Sequence, residues 1–335
     1  MNAQSHSLSD SRWPHRWAWL LACATFPLIW VGGLVTTTGA GMAFKDWLTS
    51  DGHFMLFYPW LDSEGDKFVE HGHRLLGALV GFLAIALVAV CYKWESRSWV
   101  RRYSLVILGG VILQGVLGGM RVVFDERTLA MIHGCTGPAF FALCVGMVVV
   151  TSRWWQVAAP IPATPGSKKF LRLAILTTPL AYLQLVVGAF VRHSPHLTGD
   201  AATVMFHVAV YFHILLALAI TVQVGLLSWQ AFRASLERGR SLVLACLIGL
   251  QVLLGVSTWM VKYGLPRWAT AILGDLQFVN TAENAQQAGI VTSHVAVGSL
   301  ILVTSLAIAL RAGRQLRVGL PKLSAPANVR MEAAV

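Results

Sequence analysis

The sequence predicts an all-α integral membrane protein, with eight transmembrane helices arranged as two pseudo-symmetric four-helix bundles. Three observations predict it. Of 335 residues, 56% are hydrophobic and only 12% charged, a balance foreign to soluble domains. Eight uncharged runs are each long enough to cross roughly 30 Å of hydrocarbon as a helix. Those runs also carry matched polar residues in two sets of four, with histidine in or just before every even-numbered run and glycine, mostly preceded by glutamine, in the odd ones.

Taken in order, residues 1–16 form a polar tail and 17–44 an apolar run too long for a signal-peptide core, so it is read as a retained first span. Runs 75–92, 103–120 and 128–152 complete a first bundle over 17–152. The stretch 154–167 is uncharged but short, and Pro160, Pro162 and Pro165 break it, so 153–169 is a linker. Runs 173–191, 201–232, 241–261 and 284–310 give a second bundle over 170–312, and 313–335 is a tail.

Lys and Arg are retained on the cytoplasmic side of a membrane. With both termini inside, as in a multi-pass protein of the cell's inner (plasma) membrane, 18 of the 26 basic residues are cytoplasmic and 11 of the 15 acidic residues lie outside. The net charge of +11 is therefore an orientation signal, and no nucleic-acid partner is needed to explain it. Cys23, Cys135, Cys144 and Cys246 lie within spans and Cys91 at an inner end, which gives no disulfide framework.

The odd-numbered spans repeat Gln-x-x-x-Gly: Gln114 and Gly118, Gln184 and Gly188, Gln251 and Gly255. The first span keeps only Gly32-Gly33, with Leu28 in place of the amide. Such a row sets an amide and a gap on one helix face, where another backbone or a flat ligand can approach closely. His73 aligns with His213 and His133 with His294, so an even number of spans is duplicated and the repeat is parallel. The four histidines open spans 2, 4, 6 and 8, all near the outer surface.

Two imidazoles on neighbouring helices suit haem iron, clamped from both faces of a flat macrocycle. Zinc asks for three or four ligands at one point, and a proton path would spread polar groups through the bilayer depth. The other histidines are weaker candidates. His71 points about 200° from His73 and His207 about 120° from His213. His53, His193 and His196 lie in outer loops, the last two within possible reach of a propionate, and His6 and His15 in the tail. Glu70-His71-Gly72-His73-Arg74 crowds an acid, two imidazoles and a guanidinium at one membrane boundary. Glu70 shares a face with His73, and is also placed as a helix cap. Its counterpart is Val210, and that of Arg74 is Ile214, so only the first half keeps the acid and base.

These residues, over about 17–312, resemble the haem A synthase family, membrane oxygenases that convert haem O to haem A for cytochrome oxidase. The resemblance implies a permanent haem b between His213 and His294, and haem O as substrate near His73, His133 and Arg74. It implies that Glu70 is the catalytic carboxylate while the C8 methyl of haem O is oxidised through an alcohol to a formyl group. Haem O synthase as the upstream partner, the cytochrome oxidase assembly machinery, membrane lipid and an unidentified electron donor follow in the same way. Some family members pair cysteines in the first outer loop, and loop 45–69 here has none. No arginine follows His213, which leaves Arg121 and Arg192 as candidate propionate contacts. The competing readings are a bis-histidine b-type electron carrier coupled to quinol, which has no need of Glu70 beside one pair alone, and a haem transporter, which would bind nearer the midplane.

Overall fold

The computed structural model describes residues 11–193, 200–264, 271–272 and 285–316. Eight long helices run through them: α1 Trp13–Thr38, α2 Gly65–Trp94, α3 Ser98–Val123, α4 Arg127–Thr151, α5 Pro165–His193, α6 Asp200–Ala234, α7 Arg238–Tyr263 and α8 Ala285–Leu316. All eight are long and apolar enough to span a membrane, where a backbone must satisfy its own hydrogen bonds. Pro27, Pro138 and Pro179 lie inside α1, α4 and α5, as spanning helices tolerate better than soluble ones.

Helix ends depart from the apolar runs. The first run extends to 44, yet α1 stops at Thr38, where Gly39 turns left-handed at φ 79°. A short 3₁₀ turn, Ala40–Met42, follows, and Phe44 is buried beneath the outer loop. Conversely α2 begins at Gly65, ten residues before its run, with Asp66 in its first turn where the helix dipole favours an anion. The histidines therefore do not open their helices. Measured from the first helical residue, His73, His133, His213 and His294 lie about 12, 9, 20 and 14 Å along the axis.

In the first half α1 packs on α2, α2 on α3, α3 on α4 and α4 back on α1, and α5 to α8 close a second ring in the same order. Each ring has its own core, with Leu21, Leu87, Ile107 and Met147 fully buried in the first and Phe170, Leu227, Leu244 and Ile308 in the second. Lipid tails are as apolar as leucine, so tight van der Waals packing and small residues hold such rings together. The halves meet where α8 lies against α1 and α4, and α4 against α5. At the end remote from the histidines, a one-turn helix Arg153–Val157 is clasped by α8: Arg314 Nε donates to the Trp155 carbonyl at 2.9 Å and Arg311 lies 3.3 Å from the Trp154 ring centroid.

Candidate haem sites

The histidines meet in two pairs. His73 of α2 faces His133 of α4 with ring centroids 6.5 Å apart, and His213 of α6 faces His294 of α8 at 6.4 Å. The planes are steeply inclined, at 83° and 68°. Each ring rests on a glycine of the preceding helix. A Cβ at Gly32 would lie 2.8 Å from His73 Cε1, at Gly118 3.2 Å from His133, at Gly188 3.0 Å from His213 and at Gly255 3.2 Å from His294. The missing side chain is what admits the imidazole.

The glutamine one turn earlier holds the histidine backbone. Gln184 Nε2 donates to the His213 carbonyl and Gln251 Nε2 to that of His294, both at 3.0 Å. Gln114 instead reaches the Thr136 hydroxyl at 2.6 Å, which in turn donates to the carbonyls of Ile132 and His133. The Gln-x-x-x-Gly row is thus a seat for a histidine, amide to carbonyl and glycine to ring.

These pairs fit a bis-imidazole iron. Two metal–imidazole bonds of about 2 Å each, with the ring depths behind them, place centroids about 6 Å apart. Nδ1 of all four histidines is buried and lacks a protein partner in hydrogen-bonding geometry. Among the described residues no group of three or more His, Cys, Asp or Glu gathers at one point, and the Gln184 amide nitrogen lies 3.2 Å from His213 Nε2.

Every residue of Glu70–Arg74 is used, chiefly to fasten the outer loop over the first pair. Glu70 is buried: Oε2 accepts from the Phe44 backbone N–H at 3.2 Å and Oε1 from Arg74 Nη2 at 2.8 Å. It lies in the second turn of α2, where the N-cap is Glu64, so the capping alternative is set aside. His71 is buried, with Nδ1 3.0 Å from Ser50 Oγ and its ring 4.6 Å from that of Tyr58. Gly72 leaves room for Trp60, whose Nε1 donates to the Phe68 carbonyl. Arg74 Nη1 donates to the carbonyls of Asp46 and Thr49, and its guanidinium lies 5.0 Å from the Phe44 ring. Beside Gly118, Gly119 receives Trp47 so closely that no Cβ has space. In the second half the corresponding Val210 is buried and Ile214 exposed, and neither side chain can make the hydrogen bonds of Glu70 and Arg74.

Arg121 and Arg192 occupy the last turns of α3 and α5. Arg121 Nη2 donates to the Gly41 carbonyl at 3.0 Å, and its charge lies in reach of Glu70, His73 and His133. Arg192 crosses to the other half, where Nη2 donates to the Gly33 carbonyl and to Thr37 Oγ1 on α1. Thr37 also accepts from Thr292, two residues before His294. This link was not visible in the sequence, although the doubled Gly32-Gly33 marks it: Gly32 receives His73, while Gly33 abuts Thr292. Of the weaker candidates, His53 and His207 are exposed and His15 bonds Thr151, whereas His6 and His196 lie outside the described residues.

Fold and site together define a multi-pass helical membrane protein with two seated imidazole pairs. Residues 61–205 match the family model described as COX15-CtaA, cytochrome oxidase assembly protein. That segment includes Glu70, His73, Arg74, Arg121, His133 and Arg192 but ends before His213. The chain is 27% identical over 169 residues to "Heme A synthase" of Bacillus pumilus, an alignment covering 49% of this chain and 53% of the relative. It is 31% identical over 134 residues to that of Symbiobacterium thermophilum (37% and 42%), and 28% over 173 residues to that of Shouchella clausii (49% and 54%). The chain thus spans about half the length of the curated relatives it matches. These matches bear out the resemblance to the haem A synthase family.

Proposed function

We propose that this protein is a haem A synthase, an oxidoreductase that converts the C8 methyl group of haem O to a formyl group for cytochrome oxidase assembly. The observation that carries this reading is the pairing of the histidines into two sites, the first with Glu70, Arg74 and a fastened loop beside it and the second with Val210 and Ile214 at the positions of that acid and base. His73 and His133 would hold haem O as substrate, and His213 and His294 a resident haem b. The haem supplies one-electron redox chemistry when bound.

The chain's own residues provide the seats, the charges and the exclusion of water. The glycines fix each imidazole against its helix, and the loop closes over the first pair. Arg121 offers a cation beside that pair, and Arg192 does so between the halves, suiting carboxylates of a propionate kind. Glu70 accepts at both oxygens in a buried setting on the helix that carries His73, and in this reading it stabilises charge developing at the substrate rim. Each of two oxygenations takes one O₂, two electrons and two protons and releases one water. The first gives the alcohol and the second a geminal diol, which loses water to leave the formyl group. Haem O synthase would supply the substrate, the oxidase assembly machinery would take the product, and the electrons come from a separate donor.

On this reading the halves are pseudo-symmetric bundles (17–152 and 170–312) in the inner (plasma) membrane with both termini cytoplasmic. Co-expression with a haem O synthase, followed by extraction of pigments, tests the function. Haem A in the extract is expected, and haem B and haem O alone would reject the enzyme in favour of an electron carrier.

A further inference from the structure

Remote from the histidine pairs, α5 and α6 frame a groove of about 410 Å³ lined by Thr164, Gly166, Lys169, Trp229, Gln230 and Arg233. Lys169 lies roughly 28 Å along α5 from Gly188, at the end where basic residues concentrate. We propose that this groove binds the headgroup of an anionic phospholipid.

The polar groups in the groove sort into two kinds. Gln230 is buried and its Nε2 donates to the Gly166 carbonyl at 3.1 Å, and the Thr164 hydroxyl is engaged with Ser167. The two cations are exposed and, among the described residues, neither forms an ion pair. Glu237, the carboxylate nearest Arg233 in sequence, is already held by Arg240 and Arg311. Both cations instead flank one indole, with Lys169 Nζ 6.0 Å and Arg233 Cζ 4.9 Å from the Trp229 ring centroid. Two unneutralised cations converging on a cavity call for an anion.

Its attachment to an apolar tail follows from α6. Leu215, Leu218, Val222, Leu226 and Trp229 are all exposed and recur every three or four residues, a continuous apolar stripe ending at the groove. An amphipathic tryptophan between cations and such a stripe marks the headgroup level of a bilayer. Basic pockets between spanning helices on the cytoplasmic side are where anionic headgroups bind. A free phosphate would satisfy the cations but leave the stripe without a role.

The test is mass spectrometry of the full-length intact protein from bilayers mixing phosphatidylglycerol with phosphatidylcholine. Each cation near an anionic surface contributes about a fivefold preference, so the pair should favour phosphatidylglycerol by about 30-fold. Lys169→Gln with Arg233→Gln should abolish the preference, and Lys169→Arg with Arg233→Lys should retain it. No preference in the wild-type protein, or loss in the charge-retaining variant while it remains folded, overturns the proposal. So does displacement of the lipid by millimolar inorganic phosphate, which would make this a free-anion site. If the glutamine variant fails to fold, the wild-type and charge-retaining proteins decide the matter.

Discussion

Gly188→Ala is the sharper perturbation of the two histidine seats in the second bundle. Its new Cβ would lie 3.0 Å from His213 Cε1, against 3.4–4 Å for an ordinary contact, so the imidazole has to give by about half an ångström. It is not free to do so, because Gln184 holds its backbone from the same helix. Forcing one carbon into such a packed site costs about 1–3 kcal/mol. Haem b affinity in the second bundle should therefore fall about 5- to 150-fold. Gly249→Ala, on α7 one helix away, is the matched control: nothing lies within 4 Å of its Cβ. Relief of glycine's helix penalty makes that change neutral or stabilising by up to about 1 kcal/mol. Gly255→Ala, at 3.2 Å from His294, should fall between the two. Haem per protein and the visible spectrum, measured on purified protein at limiting haem, provide the readout. Full haem content and an unshifted spectrum in Gly188→Ala, indistinguishable from Gly249→Ala, would refute the seat.

Glu70→Gln should lower haem A formation by about 10²-fold or more, with haem O or the alcohol accumulating. An amide also has one acceptor oxygen for the two donors, Arg74 and the Phe44 N–H, so a stability cost of about 1–3 kcal/mol should accompany it. A normal haem A yield from that variant would leave Glu70 with the loop-fastening role alone. In the outer loop, burial works to raise the Asp46 carboxyl, but hydrogen bonds from the Thr49 side chain and the Gly52 and Asp51 backbone outweigh it and hold its pKa below the ordinary value. A depressed carboxylate contributes stability that is lost as pH falls through the folded pKa. Protease resistance of loop 45–64 should thus decline below about pH 4, and Asp46→Asn should remove that dependence; an identical acid profile in both proteins would count against it. An impermeant reagent applied to intact cells should label loop 45–69 and spare 233–240, and labelling of the second segment alone would invert the orientation.

Much of the site was legible because helical periodicity maps spacing onto faces. The four-residue interval of Gln-x-x-x-Gly and the alignment of His73 with His213 both survive as contacts. Helix ends were not, since the apolar runs record hydrophobic surroundings and not backbone conformation. Residues 39–44 are apolar because Phe44 is buried under a loop, while 65–74 are helical although polar, because that turn of α2 is clothed by the same loop. By its angle to His73, His71 is a weaker ligand candidate. It is one of the most buried side chains, and only the loop's fold, through Ser50 and Tyr58, accounts for that. Arg192 reaching Thr37 on α1 joins residues 155 positions apart, a contact that no local pattern encodes.

The most direct test of the account is the pigment composition of two sets of variants, purified from cells that make both haem B and haem O. His73→Ala and His133→Ala should keep haem B and lose haem O and its oxidised products. His213→Ala and His294→Ala should lose most haem B and, with it, the stability that a ligand confined to the folded state contributes. Loss of the same pigment from both sets, or of none from either, would contradict two distinct haem sites.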